Sequence, residues 1–168
     1  SSSPNAATLR IDSGTLTNDA GLIQSTGNSI ALTPAVAALS IHTGNNALTN
    51  ANSGTANGII SNGATLINTG SASLNNTGYI ASNGALTITT AALNNTASAR
   101  AANQSVINAA DLTVTAGAVN NQNGSIQATN NATFNLGTNA NPGTLDNQGT
   151  SLIAASNALT INAATLNN

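Results

Sequence analysis

Cysteine, lysine, glutamate, methionine and tryptophan are all missing from this 168-residue chain, and charged side chains make up only 4% of it. Each absence removes a class of function. Without cysteine there is no disulfide framework, no thiolate nucleophile and no cysteine metal site. That absence is compatible with an exported protein that crosses a membrane unfolded and uncrosslinked. The only cations are Arg10 and Arg100, too few to neutralise a run of phosphates, so a nucleic-acid partner is excluded. No stretch approaches the roughly 18 apolar residues of a transmembrane segment, and none at the chain start reads as a signal peptide. The aromatics are Tyr79 and Phe134 alone, which is too few for an ordinary globular core.

What remains is Ala, Asn, Thr, Ser and Gly, with Leu, Ile and Val at recurring places. Net charge is only -2, unlike the highly charged, aliphatic-poor composition of disordered chains. Residues 74–95 read LNNTGYIASNGALTITTAALNN, opening and closing on Leu-Asn-Asn. The same unit recurs from openers at Leu16, Leu48, Leu74, Leu93, Val119, Leu145 and Leu166. After each opener come Asn-rich residues with Gly, then an Ile (Ile23, Ile60, Ile80, Ile126, Ile153) beside a small residue. An apolar-x-apolar triplet follows, as in Leu86-Thr87-Ile88, Leu112-Thr113-Val114, Phe134-Asn135-Leu136 and Leu159-Thr160-Ile161; in the Leu48 copy it falls at Leu66.

From Leu48 onward the openers lie 19 to 26 residues apart. The uneven spacing implies loop insertions at 51–58, 97–104 and 137–143. The longer gap from Leu16 to Leu48 leaves room for one more, degenerate turn through Leu39-Ser40-Ile41.

Leu86-Thr87-Ile88-Thr89 alternates with period two, and Asn/Gly turns interrupt every candidate helix. Short strands joined by such turns and repeated every twenty-odd residues describe an all-β fold: a parallel β-helix (β-solenoid) of about seven or eight coils, roughly 35 Å long. Stacking also explains the missing charge. Equivalent residues of successive coils sit about 4.8 Å apart, where like charges repel but Asn amides can donate from one rung to the next. Asn and Gly also tolerate the left-handed backbone of tight corners. The chain reads as a single β-helical segment over residues 1–168, taken from a longer array, with Ser1-Ser2-Ser3-Pro4 as a linker remnant.

The units LNNTGYIASNGALTITTAALNN and VNNQNGSIQATNNATFNL resemble the repeats of filamentous haemagglutinin-type exoproteins. These are large Gram-negative products of two-partner secretion, among them contact-dependent growth inhibition effectors. The pattern of Leu-Asn-Asn, Gly, Ile, a small residue and Leu-Thr-Leu/Ile covers most of residues 8–168. The family's N-terminal secretion motif and a toxin domain have no counterpart here. The resemblance implies a right-handed parallel β-helix serving as a secreted adhesin shaft or stalk at the bacterial cell surface. It would present a distal binding or toxin module and touch a receptor or glycan through its inserted loops.

Candidate chemistry is sparse, and no catalytic, cofactor-binding or metal site is expected. His42 is the only histidine and reads as a solvated residue beside Ile41. Arg10 and Asp12 alternate with Leu9 and Ile11 and should form an outward ion pair. Asp19 and Asp146 occupy expected corner positions where other copies carry Asn, and Asp111 precedes a strand with no acidic neighbour. A carboxylate pair for polysaccharide cleavage would have to come from these four residues. Arg100 and Gln104 lie in the longest insertion, where a loop could bind a partner. Tyr79 should point outward and could stack on a sugar, while Phe134 replaces Leu in an inward triplet. An alternative reading is an ice-binding solenoid, from Thr15-x-Thr17, Thr87-x-Thr89 and Thr113-x-Thr115. That row is broken by Thr133-x-Asn135 and Thr160-x-Asn162.

Overall fold

The computed structural model describes residues 8–53, 56–97, 105–137 and 142–168. The chain is a parallel β-helix with three faces, and every pairing between its strands is parallel. The first coil runs β1 (Leu9–Asp12), β2 (Leu16–Asp19) and β3 (Leu22–Ser25). The second is β4 (Leu39–His42), β5 (Leu48–Ala51) and β6 (Gly58–Ser61), and the third β7 (Thr65–Asn68), β8 (Ser73–Asn76) and β9 (Tyr79–Ser82).

In the next two coils the first two faces merge into one long strand. These are β10 (Leu86–Asn95) with β11 (Val106–Ala109), then β12 (Leu112–Asn120) with β13 (Ser125–Ala128). The sixth coil is β14 (Asn131–Leu136), β15 (Thr144–Asp146) and β16 (Leu152–Ala155), and β17 (Ala158–Asn162) and β18 (Thr165–Asn167) begin a seventh. The merged strands join the first two faces into one 12-stranded sheet; the third face is a separate 6-stranded sheet. Seven rungs on the first face make six steps, or about 29 Å at the strand spacing.

Period-two alternation sends one set of side chains into a single continuous core. All seven expected openers stack: Leu16, Leu48, Leu74, Leu93, Val119, Leu145 and Leu166 face one another rung by rung. The third face contributes an all-isoleucine column of Ile23, Ile59, Ile80, Ile107, Ile126 and Ile153. On the first face Ile11, Ile41, Ile67, Ile88, Val114, Phe134 and Ile161 align. Phe134 is fully buried, as expected, and on the same strand the neighbouring inward position is Ala132, which leaves room for the ring.

Several expectations are corrected. Ile59, not Ile60, is the inward isoleucine of the second coil, and Ile67, not Leu66, is inward in the third. No degenerate turn hides between Leu16 and Leu48. Leu39–His42 stacks directly on Leu9–Asp12, and the surplus length is a 13-residue connection, 26–38, where the other third-to-first-face connections take two or three residues. Asp146 lies within β15, not at a corner, and faces Asn120 and Asn167. Of the expected insertions, residues 54–55, 98–104 and 138–141 fall outside the described residues, and with them Arg100 and Gln104.

Asparagine plays both parts expected of it. Among the described residues the left-handed non-glycine positions are Asn45, Asn52, Asn123 and Ala20. The Asn two residues after each opener builds the rung-to-rung amide ladder, and its buried copies point inward. Asn18 donates to Asn50 (2.8 Å), Asn50 to Asn76 (2.8 Å), Asn76 to Asn95 (2.7 Å) and Asn95 to Asn121 (2.7 Å). Asn121 then donates to Asn147 and Asn147 to Asn168, both at 2.8 Å. Every bond points the same way along the axis. The second amide hydrogen goes to the next turn's backbone, for example from Asn50 to the Tyr79 carbonyl at 3.1 Å and from Asn121 to the Leu152 carbonyl at 3.1 Å. The four middle asparagines are fully buried, yet among the described residues no buried side-chain polar atom lacks a partner. At the corner beside this column Gly58 has φ 109°, and a Cβ there would stand 2.1 Å from the Tyr79 carbonyl oxygen.

Candidate binding surface

The outward residues of the first face form two columns. One runs Arg10, Ser40, Leu66, Thr87, Thr113, Thr133, Thr160 and the other Asp12, His42, Asn68, Thr89, Thr115, Asn135, Asn162. Arg10 and Asp12 stand at the N-terminal end of this face. Arg10 Nε donates to Asp12 Oδ2 at 2.6 Å and Nη2 to Oδ1 at 3.1 Å, on exposed side chains. The hydrogen bond from Arg10, helped by its charge and that of His42, holds the Asp12 carboxyl below the usual range, and the same contact raises Arg10. His42 is exposed one rung above Asp12, as the sequence reading expected.

The unforeseen connection 26–38 crosses this part of the face. It is held by the Ala64 amide donating to the Ser29 carbonyl (2.6 Å) and by a turn in which the Ala37 amide donates to the Thr33 carbonyl (2.8 Å). Its last two residues, Ala37 and Ala38, are buried, and so is Ser40, although Ser40 lies on the outward side of its strand. Between connection and sheet runs a groove of about 370 Å³, lined by Leu32 and Pro34 on one side and by Arg10, Asp12, His42 and Asn68 on the other. Ile30, Leu32 and Val36 on the same connection are exposed, Ile30 by 87%. Exposed aliphatics rimmed by polar groups are a common mark of a contact surface. The sequence held one sign of it, the excess length between Leu16 and Leu48.

The remaining candidates do not converge. Asp19 accepts a hydrogen bond from Asn52 (2.7 Å). Asp111 accepts from the side chains of Asn131 (2.9 Å) and Asn130 (3.3 Å), bonds that lower its pKa. Asp146 accepts from Asn167. Each aspartate therefore faces an amide or a cation, and among the described residues no three potential metal ligands come together. Thr87/Thr89 and Thr113/Thr115 stack on adjacent rungs, but Thr17 lies on the second face, paired with Thr49. Tyr79 points outward as expected, with Ile80 buried beneath the sheet. Among the described residues no helix is long and apolar enough to cross a membrane. No protein-family model, no curated protein and no solved structure matches this chain.

Proposed function

We propose that this chain is a shaft segment of a large secreted exoprotein of the filamentous haemagglutinin type, at the surface of a Gram-negative bacterium. It would hold a distal binding or toxin module away from the cell and make lateral contacts of its own through connection 26–38. The observation that carries this reading is the unbroken axial registry, seven opener residues over seven amide residues. A stack cross-linked rung by rung along its axis resists bending and shear, as a spacer must. The four aspartates, each hydrogen-bonded to an amide or paired with Arg10, fit a structural role better than catalysis.

Antibodies raised against the 168-residue chain test the location: labelling of intact source cells is expected, and labelling only after permeabilisation would overturn the proposal. Removing residues 28–36 and closing the connection with two glycines should leave the strand spectrum intact while abolishing attachment of chain-coated beads to target cells. The ice-binding alternative has two stacked Thr-x-Thr rungs in its favour, and thermal hysteresis in a concentrated solution is its test.

A further inference from the structure

The third face carries a second concavity, of about 380 Å³, between β9 and β16, lined among others by Tyr79, Asn83, Asn108, Gln127 and Ser156. Its outward column runs Ala81, Asn108, Gln127, Ala154 in consecutive rungs. The two amides thus stand side by side, about 4.8 Å apart, between two short methyls.

Elsewhere on the outside two amide pairs in this relation bond to each other: Asn94 donates to Asn75 and Asn162 to Asn135, each at 2.8 Å. Asn108 and Gln127, like Asn94 and Asn120, do not. Gln127 Nε2 turns aside to Ser125 Oγ at 2.7 Å. Among the described residues neither the Asn108 amide nor the Tyr79 hydroxyl has a side-chain partner. The groove therefore offers unused donors and acceptors beside the one aromatic ring on the described surface, and none of its lining residues is ionised.

We propose that this groove binds a neutral oligosaccharide. A sugar hydroxyl is both donor and acceptor, and so is an amide, which lets paired hydroxyls match paired amides. The Tyr79 ring supplies an apolar face for the C–H side of a pyranose and a hydroxyl at its edge. An anion would find no counter-charge here, and an aliphatic chain would leave the amides unpaired. The volume lies near the lower end for ligand pockets, which suits one or two sugar units held along the axis and not an enclosed polymer. The site stands on its own geometry, so its failure would leave the shaft proposal untouched.

The test is NMR titration of the isotope-labelled 168-residue chain with cellotetraose, maltotetraose, laminaritetraose and di-N-acetyllactosamine, and with tetragalacturonate as the anionic control. At least one neutral sugar should shift the Asn108 and Gln127 side-chain amide signals at millimolar concentration. Tyr79→Ala and Asn108→Ala should each weaken that binding about threefold to tenfold, while Tyr79→Phe keeps most of it. Both positions face outward, so the strand spectrum should not change. No shift with any neutral sugar, shifts indifferent to Tyr79→Ala, or preference for tetragalacturonate would each overturn the assignment.

Discussion

Asn75 and Asn76 are neighbours on β8, and they show how differently the two sides of one strand constrain the same residue. Asn76 belongs to the inward column, which is asparagine in all seven rungs. Asn75 belongs to an outward column that reads Thr17, Thr49, Asn75, Asn94, Asn120, Asp146, Asn167. Inside, each amide must donate upward, accept from below and meet a backbone carbonyl. Only asparagine has that length and that set of groups, and a buried partner left unmet is costly. Outside, water substitutes for any missing partner, so threonine and aspartate serve as well.

The sharpest way to break this comparison is Asn76→Asp. At neutral pH it buries a carboxylate that can still accept from Asn50 but cannot donate to Asn95. Burial raises its native pKa above the unfolded value. The variant should therefore be most stable below about pH 4 and lose stability as pH rises toward the native pKa. Urea melts followed by circular dichroism at several pH values check this; a variant unaffected by pH would mean that water reaches the column.

Next in size, Ile59→Ala should cost about 2–5 kcal/mol, because the side chain is fully buried among other isoleucines. Ile60→Ala, one residue along on the outward side, should cost well under half as much. Equal losses would mean that the strand register is wrong.

Asn76→Ala should cost about 1–3 kcal/mol through its stranded partners, against less than about 0.5 kcal/mol for Asn75→Ala. The difference between these two melts measures the inside–outside contrast without any new charge.

The smallest effect belongs to the surface carboxylates. Asp111 and Asp12 have lowered native pKa values, so their contribution is present above the unfolded pKa, about 3.9, and fades as pH falls through the native ones. Both are exposed, so only a slight loss of stability at strongly acid pH is expected. Asp111→Asn should flatten that slope by its share; a large change would point to burial at this corner.

Much of the architecture could be read directly. Leu-Asn-Asn and its variants mark each opener in the sequence, and every one occupies the same column. Where two apolar residues adjoin, as in Ile59-Ile60 and Leu66-Ile67, alternation alone allows either parity, and the choice depends on which rung lies next door. The candidate surfaces were harder. Arg10, Asp12 and His42 stand out in the sequence as rare charged or titratable residues, but nothing local joins them to Leu32 and Pro34, which reach them through a connection folded back over the sheet. Asn108 and Gln127 left no trace at all, since their pairing depends on two strands 19 residues apart coming into register.

The sequence by itself determined the period, the aliphatic columns, the avoidance of like charges and the choice of asparagine, because each is a condition that every rung imposes on the next. Only the tertiary structure decided which neighbour of each apolar pair faces inward, where the thirteen-residue connection lies and which polar groups meet outside. Those outcomes arise between rungs, where residues distant in the chain become neighbours only once the coils have stacked.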